Sequence, residues 1–165
     1  MRNLIFALLV SSLVIGCSST DKTAENNLLL VEKYVKGVEN MDYDIMEELL
    51  ADNYIGLGPS FGDSTNKVQA IENWKQNVEN LYEKIEYQKS RNAAVTITTG
   101  DNQGEWVSNW AELKITYKND KGSVIIWANS TYLIENGEII KSYTFYNEAD
   151  ALRQLGYVFI NPDHL

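Results

Sequence analysis

Val124-Ile125-Ile126-Trp127-Ala128-Asn129-Ser130-Thr131-Tyr132-Leu133-Ile134 runs into Glu135-Asn136-Gly137-Glu138, and then into Ile139-Ile140-Lys141-Ser142-Tyr143-Thr144-Phe145-Tyr146. Two runs rich in β-branched and aromatic residues flank an Asn-Gly pair. Both residues of such a pair tolerate positive φ, as a type I′ hairpin requires. With a two-residue turn, Glu135 faces Glu138. An unbroken ladder then pairs Ile134 with Ile139, Tyr132 with Lys141, Ser130 with Tyr143, Ala128 with Phe145 and Ile126 with Asn147. These share one face of the sheet. The other carries Trp127, Asn129, Thr131 and Leu133 with Ile140, Ser142, Thr144 and Tyr146.

Upstream of the hairpin, the same period of two runs through Ile85, Tyr87, Ala93, Val95 and Ile97, and through Trp106 to Tyr117. Gly100-Asp101-Asn102 and Asn119-Asp120-Lys121-Gly122 are the turns between these strands. Further upstream the period is helical. Leu28, Val31, Val35 and Val38 predict an amphipathic helix over Glu25 to Glu39. Asp42 is a plausible N-cap for a short second helix, whose apolar side is Ile45, Met46, Leu49 and Leu50 and which ends at Asp52-Asn53. A short strand, Tyr54 to Leu57, and a Gly-Pro-Ser loop follow. A third helix is expected over Thr65 to Tyr82, with Asn66 and Gln69 as a capping-box pair and Val68, Ile71, Val78 and Leu81 as its buried stripe. A short helical segment, Glu148 to Leu155, precedes Gly156. Helices first and a strand meander afterwards mean an α+β fold, with the helices covering one sheet face.

Composition narrows the function. The chain has 165 residues, a formal net charge of −9, one cysteine and one histidine. One cysteine excludes a disulfide framework or a cysteine-rich metal site, and one histidine excludes paired histidine ligands. The charge argues against nucleic acid or an anionic lipid surface as an electrostatic partner. Asp42, Asp44 and Asp52 lack the spacing of a calcium loop, and Gly56-x-Gly58 with Gly62 lacks that of a phosphate cradle. Helix caps and loop residues explain them, so no metal and no cofactor is expected. Asn129-Ser130-Thr131 is a chance glycosylation sequon inside a strand, and His164 lies in a terminal tail.

The chain begins Met1-Arg2-Asn3, followed by an apolar run from Leu4 to Ile15 and then Gly16-Cys17. One basic residue and a short apolar core are the anatomy of a signal peptide, too short to span a membrane comfortably. Val14-Ile15-Gly16-Cys17 resembles the lipobox of bacterial lipoproteins. That resemblance implies cleavage before Cys17, acylation of its thiol and a membrane anchor. The expected organisation is a signal peptide over 1–16, an acylated cysteine and polar tether over 17–24, a folded domain over 25–160 and a tail over 161–165. Ser18 follows the cysteine where an Asp would favour retention at the inner membrane, so the expected location is the cell envelope at the outer membrane.

From Asn26 to about Leu155 the pattern resembles the nuclear transport factor 2-like superfamily, in its SnoaL-like branch. The resemblance rests on Asn40-Met41-Asp42-Tyr43-Asp44, on Ile71-Glu72-Asn73-Trp74, and on the ending from Asn136-Gly137 through Phe145-Tyr146-Asn147 to Leu152-Arg153-Gln154-Leu155-Gly156-Tyr157. It implies a cone: a strongly bent antiparallel sheet wrapped around a long helix, with a pocket at the open end. Similar enzymes often carry an Asp where this chain has Asn147, and His or Asp where it has Asn129 and Ser130. An amide cannot take up or release a proton at useful pH, so acid–base catalysis is disfavoured. Tyr143, Asn147 and Ser130 are then candidate ligand-binding groups, with a core tyrosine and a strand-end cap as the competing readings. Trp74, Trp106 and Trp110 could line an apolar or carbohydrate-stacking pocket, or simply fill the core. Lys141 could meet a ligand's carboxylate, or reach out of a twisted strand.

Three functions fit. The first is a non-catalytic lipoprotein binding a small, partly apolar molecule. The second is an isomerase, dehydratase or cyclase of the SnoaL-like kind. The third is a dimeric adaptor in an envelope assembly. A homodimer through the outer sheet face is expected, with Trp127, Leu133, Ile140 and Tyr146 forming its patch.

Overall fold

The computed structural model describes residues 18–161 and 163. Helices α1 (Ser18–Glu39) and α2 (Tyr43–Leu49) come first, then strands β1 (Leu50–Leu57) and β2 (Ser64–Asn66) and helix α3 (Lys67–Asn80). Strands β3 (Tyr82–Ile97), β4 (Gly104–Tyr117), β5 (Gly122–Glu135) and β6 (Glu138–Tyr146) follow, and α4 (Glu148–Gln154) closes the chain. The six strands form one sheet in the order β2-β1-β6-β5-β4-β3. The expected α+β class and the cone of helices on a curved sheet are what the structure shows.

Local chemistry explains the boundaries. Asp42 accepts the N–H of Ile45 at 3.1 Å and starts α2. Asn66 and Gln69 form the reciprocal capping box at the start of α3, at 2.9 and 3.1 Å. The last carbonyls of that helix, on Val78 and Glu79, accept the Lys118 ammonium at 2.7 and 2.8 Å, a cation where the helix dipole favours one. Asn136 and Gly137 both have positive φ, 51° and 81°, and make the tight hairpin.

Several boundaries differ from the sequence reading. Helix α1 reaches back to Ser18, so the segment read as a polar tether is helical from there. Asp52 and Asn53 lie inside β1, which begins directly after α2. In α3 the buried side is Ile71, with Ala70 and Trp74 packed beside it. Val68 is 77% exposed and Leu81 37%. β1 runs parallel to β6, so the sheet is mixed.

The core lies between α1 and the concave sheet face. Val31, Tyr34, Val35 and Val38 pack with Leu50, Tyr54, Val107, Tyr132, Ile134 and Ile139. Burying each aliphatic side chain there contributes about 1.5–3 kcal/mol. One departure rearranges the site. The β5–β6 ladder pairs Ile134 with Ile139 but Leu133 with Lys141, so Ile140 is a bulge. Beyond it the register slips by one residue and every β6 side chain changes face.

Candidate functional site

The cone encloses a cavity of about 520 Å³, walled by the inner faces of β3 to β6, by α1, α3 and by α4 at its mouth. Eight of the ten tyrosines line it. Tyr34, Tyr54 and Tyr132 are buried at its base, whereas Tyr146 and Tyr157 stand exposed at the mouth. Tyr34 and Tyr132 meet edge to face at 5.5 Å, and Trp74, Tyr82 and Tyr117 form a chain of ring contacts at 5.8 and 5.7 Å.

Many of the polar groups in this wall are hydroxyls. Tyr54 Oη and Ser142 Oγ are 2.7 Å apart and buried. Ser130 Oγ lies 3.1 Å from Thr144 Oγ1. Trp74 Nε1 is buried without a hydrogen-bond partner among the described residues, a donor that an acceptor on a ligand would satisfy. Apart from the tyrosines, the ionisable residues in the lining are Lys121 and Glu148, both exposed.

Burial keeps the phenols neutral. It raises the Tyr34 and Tyr132 hydroxyls well above their usual range, with neighbouring tyrosines adding to the effect. Burial raises Tyr87 too, and the Glu39 carboxylate adds to it. Tyr82 is pushed up to about 12, mainly by burial and then by Tyr117. These groups are therefore stable hydrogen-bond donors and poor proton acceptors at neutral pH. Glu39 faces the backbone, accepting the N–H of Tyr87 at 3.0 Å and pairing with Lys36 at 2.7 Å. The Lys36 hydrogen bond holds its carboxyl below the usual range.

The expected site residues separate into three groups. Ser130 and Trp74 line the cavity. Tyr143 and Lys141 do not, because the Ile140 bulge turns them to the convex face, where Tyr143 stacks on Phe145 at 6.4 Å and meets Trp106 in a tilted contact at 6.0 Å. Trp110 is also on the convex face, 48% exposed. Asn147 is the N-cap of α4, accepting the N–H of Asp150 at 3.0 Å. It borders a separate open groove with Trp110, Trp127 and Phe145. The same slip alters the patch expected to join two copies, since Tyr146 lines the cavity and Ile140 sits at the bulge; independently of it, Leu133 on β5 is only 6% exposed. Trp127 remains outward and exposed. Sequence reasoning missed Tyr54, Ser142, Thr144 and Tyr146. The signal that could have found them was the abundance of tyrosine combined with a bulge at Ile139-Ile140. The expected lipidation site, Cys17, lies outside the described residues.

No protein-family profile matches the chain, and no curated protein does. Solved structures do match. A candidate polyketide cyclase from Xanthomonas campestris pv. campestris superposes with a TM-score of 0.65 at 14% identity, covering 80% of this chain and 98% of that one. A nuclear transport factor 2-like protein from Anabaena variabilis gives 0.64 at 11%, covering 83% and 98%. A candidate SnoaL-like polyketide cyclase from Shewanella denitrificans gives 0.61 at 10%, covering 78% and 95%. At such identities the likeness shows the fold alone: the chain has the nuclear transport factor 2-like cone.

Proposed function

We propose that this protein is an envelope lipoprotein, anchored through acylated Cys17, whose cavity binds a small, uncharged, partly apolar molecule and performs no acid–base chemistry on it. The observation that carries the reading is the lining. A cavity of about 520 Å³ falls in the range of small-molecule sites, and its buried wall is aromatic with hydroxyl groups, the charged residues of the lining, Lys121 and Glu148, being solvent-exposed. A charged ligand would lose its hydration there without a countercharge to replace it. A neutral one with hydroxyl or carbonyl groups finds donors at Tyr132, Ser130 and Trp74.

Chemistry of the isomerase, dehydratase or cyclase kind needs a group that takes and returns a proton. The buried phenols are held neutral, and Glu148 stands at the exposed mouth. The test is ligand capture: the purified full chain, in a mild non-ionic detergent, is incubated with a metabolite extract of its host and the retained molecules are identified by mass spectrometry. Stoichiometric capture of an unchanged neutral molecule, lost in Ser130→Trp, supports binding. Conversion of the captured molecule by wild-type protein would overturn the non-catalytic reading.

A further inference from the structure

Outside the cavity, the convex face carries an open groove of about 540 Å³ near the end of β6. Four aromatic rings border it: Trp110, Trp127, Phe145 and Tyr146. Three of them are placed by one patch of the ladder. Trp110 and Phe145 lie on either side of Asn129, on β4 and β6, and Trp127 is two residues before Asn129 on β5. Trp127 is 74% exposed, Phe145 55% and Trp110 48%, an arrangement that costs hydrophobic free energy unless something covers it.

The charge of the groove is one-sided. Its single ionisable group besides the Tyr146 phenol is Glu148, an exposed carboxylate with no ion pair among the described residues. The other carboxylate in this patch, Glu112, lies opposite Trp127 and is neutralised by Lys89 at 2.7 Å. Arg91, opposite Trp110 across β3 and β4, does not border the groove. Ring faces carry the negative part of the aromatic quadrupole, so aromatic faces beside a free carboxylate complement a soft, weakly hydrated cation. An anion would be repelled. A neutral sugar would stack on the rings but would leave the carboxylate's charge unmatched.

We propose that this groove is a second binding site, for an organic cation of the quaternary or methylated ammonium class, held by the faces of Trp110, Trp127 and Phe145 and by the Glu148 carboxylate. It adjoins the cavity mouth, where Tyr146 and Glu148 border both spaces.

The test is calorimetric titration of the full chain, in a non-ionic detergent, with tetramethylammonium chloride, ionic strength being held constant with sodium chloride. tert-Butanol, a neutral molecule of similar shape, is the control. Saturable binding of the cation and none of the alcohol is expected. Trp127→Ala and Glu148→Gln should each weaken it by about five- to thirtyfold, as loss of one cation–ring or ion-pair contact would. Trp127→Phe, which keeps a ring, should retain most of it. Both positions are exposed, and a circular dichroism spectrum matching wild type certifies the fold of each variant. Equal binding of tert-butanol would mean an apolar groove without cation selectivity and overturn the proposal. So would the absence of saturation, or a dimer in sedimentation that dissociates in Trp127→Ala and is indifferent to the cation, which would assign the face to a second copy of the chain.

Discussion

Gln154 completes the backbone of Ile125: its Oε1 accepts the Ile125 N–H at 2.9 Å and its Nε2 donates to the Ile125 carbonyl at 2.8 Å. Pairing between β5 and β6 ends at Ala128 and Tyr146, so beyond that point β5 has an open edge. One side-chain amide stands in for the missing strand and fixes α4 across the cavity mouth. Gly156, in the left-handed region with φ of 87°, then ends the helix, and Tyr157 N–H returns to the Leu152 carbonyl at 3.0 Å.

Gln154→Ala should loosen that closure. A seven-residue helix has little stability of its own, so it depends on such contacts. Because the bonds are exposed, water replaces them in part, and the loss should be about 0.5–1.5 kcal/mol. Hydrogen exchange at the Ile125 amide should accelerate, and release of a bound ligand with it. Unchanged exchange at Ile125 would show that the amide is not what holds the helix.

Tyr54→Phe removes the partner of a buried Ser142 hydroxyl and should cost about 1–3 kcal/mol in chemical denaturation. Adding Ser142→Ala removes the orphaned group, so the double variant should recover part of the loss. Strict additivity of the two changes would mean that the 2.7 Å contact contributes nothing.

Period and turn chemistry made most of this fold legible. Asp42, Asn66, Asn136-Gly137 and Gly156 each act where their local chemistry says they should. The site was less legible because strand register is not a local property. Glu135 and Glu138 pair as the hairpin dictates, yet one extra residue at Ile140 reverses the faces of Lys141, Tyr143 and Phe145. Both arrangements put aromatic groups on both faces, so hydrophobic alternation did not distinguish them. A second bulge, at Lys89 with φ of 51°, does the same to β3: Ile85 and Tyr87 point inward, while Val95 is 49% exposed. Parallel pairing of β1 with β6 joins segments far apart in sequence, and no turn signal announces it.

The cavity tyrosines make a prediction about alkaline pH. Tyr82 is raised from the ordinary 10.0 to about 12, and Tyr34, Tyr87 and Tyr132 are raised too, all chiefly by burial. Above pH 10 the unfolded chain releases phenolic protons that the folded chain keeps, so the unfolded state binds fewer protons and stability falls as pH rises. The stabilisation is complete below about pH 10 and is lost as pH climbs through 12. Phenolate absorbance should therefore rise in two stages, the second coincident with loss of the near-ultraviolet circular dichroism. A single titration near pH 10 with the fold intact would contradict a closed tyrosine cavity.

Cys17→Ser tests the anchor. The motive is Val14-Ile15-Gly16-Cys17 directly after a short apolar core. Wild-type protein should partition into detergent and carry acyl mass on its N-terminal cysteine, whereas the variant should stay in the aqueous phase, since each buried CH₂ of the chains contributes about 0.8 kcal/mol. A wild-type mature protein with an unmodified Cys17 would end the lipoprotein reading.

Asn147 allows the sharpest separation of binding from catalysis. On the resemblance to acid–base enzymes alone, Asn147→Asp would restore a lost proton-transfer group. The structure argues otherwise. Asn147 caps α4 through its Oδ1, 3.0 Å from the Asp150 N–H, and faces the outer groove rather than the cavity. An aspartate accepts that N–H equally well and sits favourably at the start of a helix, so Asn147→Asp should leave stability unchanged or slightly higher. It should also leave the cavity ligand bound and unconverted. Asn147→Ala should lose about 0.5–2 kcal/mol in denaturation, the usual cost of an N-cap, with cavity affinity altered only as far as α4 frays. Turnover of the captured molecule by Asn147→Asp, where wild type shows none, would place position 147 within reach of the ligand and require a different arrangement of α4 in solution.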